Sequence, residues 1–132
     1  MGGYEKNRAR AEALNDLGRQ LARRARSRCE LCEQSASLTP YEVPPVPNEP
    51  DLDQTLLLCK TCQDMAQGGP LDDKHLRCLE HTIWSDFPPV KVLSYWLLQR
   101  LHAQGTPWAQ DLLDGAYVTE DEQAWIDAGQ QA

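Results

Sequence analysis

Cys29-Glu30-Leu31-Cys32 and, after 26 intervening residues, Cys59-Lys60-Thr61-Cys62 are the stretches on which the reading of this chain turns. Two residues between the cysteines of a pair let both sulfurs face one point. Two such pairs supply the four soft ligands that zinc takes at tetrahedral corners. The expected cofactor is therefore one structural Zn2+ on the thiolates of Cys29, Cys32, Cys59 and Cys62. A redox C-x-x-C or adventitious thiols are the competing reading, which the doubled, spaced arrangement disfavours. Four thiolates leave no coordination position open for water, so such an ion organises the fold rather than activating a nucleophile.

Working outward, the segment before the first pair, from about Glu5 to Arg26, predicts a helix. Leu14, Leu17, Leu21 and Ala25 recur at three, four and four, with arginines between them. After the first pair come a short β-like run, Leu38 to Val43, and a loop kinked by Pro44, Pro45, Pro47 and Pro50. Thr55 to Leu58 predicts a second strand, and the second cysteine pair opens a short helix that Gly68-Gly69-Pro70 ends. Beyond it the chain is expected to be helical. Asp72 or Asp73 caps a helix carrying Leu76, Leu79 and Ile83, and Pro88-Pro89 breaks it. Val90, Leu93, Leu97 and Leu101 form the best amphipath, stopped by Gly105. Thr106-Pro107 opens a helix ended by Gly115. Thr119 and Glu122 form a capping-box pattern ahead of Ala124, Trp125 and Ile126.

With 132 residues, 41% apolar and 25% charged, the chain has the composition of one globular domain with a modest core. No apolar run approaches the roughly 20 residues of a membrane span, and no membrane partner is expected. The first residues lack the apolar core of a signal peptide, so the expected location is cytoplasmic, where thiols stay reduced. The net charge of −7 divides unevenly. Residues 1–28 sum to +5 and the remainder to −12. An acidic body argues against a broad nucleic-acid surface. The basic helix can still touch phosphates through Arg19, Arg23, Arg24 and Arg26, or dock on the molecule's own acidic side.

Cys29-Glu-Leu-Cys32, Tyr41-Glu42-Val43-Pro44-Pro45-Val46 and Leu57-Leu58-Cys59-Lys60-Thr61-Cys62-Gln63 together resemble the treble-clef framework of HNH-type endonucleases. The resemblance stops short of chemistry. Pro44-Pro45 stands where that family carries its strand-end acid and histidine, and Gln63 follows the last cysteine where histidine is frequent. Proline can neither accept a proton nor bind a metal. Over most of its length the chain is similar to the proteobacterial PhnA-type proteins, in particular their N-terminal zinc-ribbon region. The residues that carry this are Arg28 to Cys32, Tyr41 to Pro45, Leu57 to Cys59, His75 to Leu79, Ile83 to Ser85, Val90 to Leu93 and Trp108 to Leu113. The family's name comes from association with alkylphosphonate-utilisation genes. Any activity residing in the C-terminal β-rich domain of its longer members does not carry over to these residues.

The expected fold class is α+β, mostly α: a small treble-clef or zinc-ribbon ββα unit with an N-terminal helix and a C-terminal helical region. One domain covers 1–132, comprising a basic helix (1–28), a zinc-binding unit (29–68) and the helical region (71–129). The expected function is that of a non-catalytic, structural-zinc-binding module for a protein or nucleic-acid partner, with no catalytic residue assigned. A degenerate HNH-like nuclease or a phosphonate-related hydrolase, using a second ion near Glu42 and Asp51, is the alternative. His75 and Cys78, three apart, suggest half of another metal site or a buried free thiol. His81 and His102 show no ligand spacing. Trp84, Trp96 and Trp108 are either a contact surface or core.

Overall fold

Local signals and fold agree at most element ends. In the computed structural model, which describes residues 2–130 and side chains from 8 to 129, the chain is mostly helical with one small antiparallel sheet. Helix α1 (Gly2–Ala25) precedes the first cysteine pair. Strand β1 (Thr39–Glu42) pairs antiparallel with β2 (Thr55–Leu58), Tyr41 opposite Leu56 and Glu42 opposite Thr55. β1 is thus one residue shorter at each end than its β-like run. Helix α2 (Lys60–Ala66) starts inside the second cysteine pair, which completes a ββα unit.

Beyond it the single helix expected around Leu76, Leu79 and Ile83 is split. A 3-10 turn (His75–Cys78) runs into one turn of α-helix, α3 (Leu79–Thr82). The three apolar residues are still buried, because a 3-10 turn keeps residues three apart on one face. Asp72 caps the start, its carboxylate accepting from the amides of Lys74 (3.1 Å) and His75 (3.2 Å). Then follow α4 (Pro88–Ala103), α5 (Pro107–Gly115) and α6 (Glu120–Gln130).

The stops have recognisable hydrogen bonds. At Gly105, with φ of 95°, the Gly105 amide reaches His102 O and the Thr106 amide reaches Leu101 O. Gly68, φ 105°, ends α2 in the same way. The end of α1 uses this geometry without glycine: Arg26 and Ser27 both sit at φ 56°, and the Ser27 amide donates to Ala22 O at 2.8 Å. Thr106 occupies the N-cap of α5, but its side chain makes no capping bond. Gly115 differs too. It is the last residue of α5 without a left-handed turn, and a Cβ there would lie 3.1 Å from the Trp84 ring. Packing, not backbone freedom, accounts for that glycine.

α4 is the hub. Val90, Val92, Leu93, Leu97, Leu98 and Leu101 are buried on it, and it touches β2, α3, α5 and α6. Each such side chain contributes about 1.5–3 kcal/mol by leaving water. α1 lies across both strands with Leu21 fully buried beneath it. α6 is pinned by two indoles: Trp125 donates to Pro44 O (2.8 Å) and Trp96 to Ile126 O (3.0 Å). Trp96 and Trp108 are partly buried against the core, and Arg77 stacks on Trp108. The three tryptophans therefore do not form a shared surface. Trp84 alone among them is well exposed, at 53%.

Candidate metal centre

The first cysteine pair is shaped by its own backbone. Cys29 donates its amide to Gln34 O (2.7 Å) and accepts at its carbonyl from Glu33 (2.9 Å), with Glu33 in the left-handed region at φ 68°. Glu30, inside the pair, fastens this loop to the sheet. Its amide donates to Leu57 O and its carboxylate accepts from the Leu57 amide, both at 2.8 Å. Leu57 lies two residues before Cys59, so this double bond brings one pair to the other. Cys59 is the N-cap of α2, and its sulfur accepts from the Cys62 amide at 3.4 Å.

The four sulfurs of Cys29, Cys32, Cys59 and Cys62 all lie within 4.8 Å of one another, and Cys29, Cys59 and Cys62 are buried. Around an ion with Zn–S bonds of about 2.3 Å, tetrahedral sulfurs stand about 3.8 Å apart. Cys32 Sγ and Cys59 Sγ are 3.5 Å apart. That is far beyond a disulfide bond, and all five cysteines are free thiols. The cluster can hold a metal ion. Buried thiols this close cannot all be anionic unaided. The hydrogen bond from Cys62 holds Cys29 down to about 4. Burial first, then the charge on Cys29, pushes Cys32 up to about 12. The same hydrogen bond, burial and three neighbouring sulfurs raise Cys62. A dication supplies the missing charge and displaces the remaining protons.

No family model, curated protein or solved structure matches the chain. What the centre can do therefore follows from its own residues. Two residues beyond the four cysteines approach it. His75 Nε2 stands 3.3 Å from Cys62 Sγ. Cys78, three residues on, is partly buried and pushed up to about 12 by burial and then by the charge on Cys29. The pair expected to form half of a second site thus lies beside the first. Among the described residues the structure assembles no separate metal cluster around them. His81 and His102 are exposed.

The four arginines singled out from the sequence do not act as a set. Arg19, Arg23 and Arg26 are exposed and enter no ion pair among the described residues. Arg24 is turned inward: it makes a double contact with the Glu30 carboxylate (2.7 and 3.2 Å) and donates to Leu52 O and Thr55 O. Its guanidinium also lies 4.5 Å from the centre of the Phe87 ring. Arg24 is a structural residue rather than a free cation, which corrects its grouping with the other three.

Glu42 is spoken for in a similar way. Arg10 grips its carboxylate at 3.0 and 2.5 Å and also donates to the carbonyls of Pro47 and Asn48. Asp51 accepts from the Asp53 amide and starts a 3-10 turn. Gln63 accepts from the Thr39 hydroxyl. Spacing marked His75 only as half of a second site with Cys78, not as a neighbour of Cys62, and it pointed to neither Arg10 nor Glu30. Glu30 carried a different signal, its place inside a C-x-x-C pair.

Proposed function

We propose that this chain is a non-catalytic module of the PhnA type, organised on one structural zinc ion, that contacts a nucleic-acid partner through the free arginines at the end of α1. The convergence of four thiols within 4.8 Å carries the metal half of this reading. With all four sulfurs ligating, zinc has no position left for water, and its role is to hold the first pair, the hairpin and α2 together. Its contribution to folding is on the order of 10 kcal/mol. The seven segments quoted above support the family reading.

The partner half rests on placement. Arg19 and Arg23 lie one turn apart on α1, Arg26 follows just past its end, and Arg26 and Arg28 line a cleft of about 660 Å³ to which His81, Ser85 and the carboxylates of Glu30 and Glu33 also contribute. Cations without carboxylate partners beside a cleft suit phosphate oxygens. The nuclease alternative is weakened by Arg10, which occupies the Glu42 carboxylate that a second ion would need.

Elemental analysis of protein purified without added metal is expected to give one zinc per chain. A chelator is expected to unfold the unit from Cys29 to Gly68. Protein with no bound metal, or turnover of plasmid or simple phosphonates with magnesium, would overturn the reading. A low-salt mobility shift with single-stranded and duplex oligonucleotides tests the partner. Neutralising Arg19, Arg23 and Arg26 should weaken binding and flatten its salt dependence.

A further inference from the structure

The four sulfurs of the centre differ in how their charge is supported. Cys29 Sγ accepts from the Leu31 amide at 3.5 Å, and Cys59 Sγ from the Cys62 amide at 3.4 Å. Cys32 is only partly buried, so water can serve its sulfur. Cys62 has no such amide among the described residues. Its sulfur is buried, with 0% of the residue exposed, and the polar group that faces it is the imidazole of His75, at 3.3 Å. Four thiolates around one dication leave two excess negative charges, which N–H donors to sulfur must spread. Cys62 is the sulfur that lacks a local donor.

We infer that His75 is a positioning residue of the metal centre, donating its Nε2–H to the Cys62 thiolate and thereby supplying the N–H donor that this fully buried sulfur otherwise lacks. This rests on the metal reading above. A metal-bound thiolate has no proton to give, so the imidazole must carry the hydrogen on Nε2. The ring is well placed to hold that geometry. Asp72 accepts from the His75 amide, Leu76 is fully buried next to it, and Arg77 stacks on Trp108 at 4.8 Å. The 3-10 turn therefore presents His75 to the cluster from the helical side of the molecule. Metal occupancy is in this way linked to the layer of α3 to α5 as well as to the ββα unit.

The test is chelator competition on zinc-loaded wild type, His75→Ala, His75→Gln and, as a control for an exposed histidine away from the centre and the cleft, His102→Ala on α4. His75→Ala is expected to lower zinc affinity about tenfold to a hundredfold, the usual cost of losing an outer-shell partner. His75→Gln, which keeps an N–H donor, is expected to recover most of it, and His102→Ala to leave zinc affinity unchanged. In cadmium-113-substituted protein, the His75 Nε2 proton should show scalar coupling to the metal across Cys62 Sγ. Unchanged affinity in His75→Ala, or a loss that glutamine does not recover, overturns the proposal. So does a cobalt spectrum of three sulfurs and one nitrogen, which would make His75 a ligand. Wild type that binds no metal would instead remove the metal reading itself.

Discussion

Arg24→Ala in the metal-loaded protein is expected to be one of the costliest substitutions of an arginine in the chain. The guanidinium makes four hydrogen bonds, two to Glu30 and one each to Leu52 O and Thr55 O, and lies over Phe87. It joins α1, the first cysteine pair, β2 and the start of α4. The Glu30 side chain is only 10% exposed and that of Arg24 26%. Breaking a buried pair from one side costs about 3–5 kcal/mol, most of it the charge left behind. Access of water to a quarter of the arginine reduces this to about 2–4 kcal/mol. With a urea slope of about 2 kcal/mol/M, the middle of the range for small proteins, the unfolding midpoint should fall by about 1–2 M. Arg23→Ala, one residue earlier and exposed, should stay within about 0.5 kcal/mol of wild type. Adding Glu30→Ala should cost less than the sum of the singles, because it removes the orphaned carboxylate. Equal urea midpoints for Arg24→Ala and Arg23→Ala would refute the reasoning.

Glu122 forms the capping box of α6 with Thr119 and pairs with Lys91 at 3.2 Å. Burial opposes its charge, but the Thr119 amide, Lys91 and the Thr119 hydroxyl outweigh burial and hold its carboxyl below the usual 4.5. The unfolded state then binds the proton more readily, so this stabilisation is present at neutral pH and lost as pH falls through the folded value. Glu122→Gln should therefore lose stability at neutral pH and converge on wild type in acid; parallel pH profiles of the two proteins would contradict this. Arg26→Gly should stabilise by about 1 kcal/mol, since a left-handed position penalises a Cβ; a lower melting temperature would count against the α1 stop described. Gly129→Ala places a Cβ 2.0 Å from the Trp96 ring. It is expected to cost about 1–3 kcal/mol and to shift tryptophan emission, and an unchanged melt and spectrum would show that α6 does not pack as seen.

Much of the architecture was legible along the chain because the information is local. A C-x-x-C pair, a glycine at a helix stop and a threonine three residues before a glutamate each fix backbone geometry within a few residues, and the metal cluster, Gly68, Gly105 and the Thr119–Glu122 box follow from them. Where local preference was weak, the structure departed from the expectation. The segment from His75 to Thr82 divides between 3-10 and α geometry, and Thr106 caps by position without a side-chain bond.

Composition and spacing alone established two cysteine pairs suited to one ion, a mostly helical chain around a short hairpin, and a basic head on an acidic body. Only tertiary packing decided which charges are free. Arg23 and Arg24 are neighbours of identical chemistry, yet a turn of about 100° per residue around α1 sends one to water and the other to Glu30 and the carbonyls of Leu52 and Thr55. The same holds for His75 at Cys62, 13 residues away, and for Arg10 at Glu42, 32 residues away. Such meetings depend on how elements stack, and no periodicity within a single element records them.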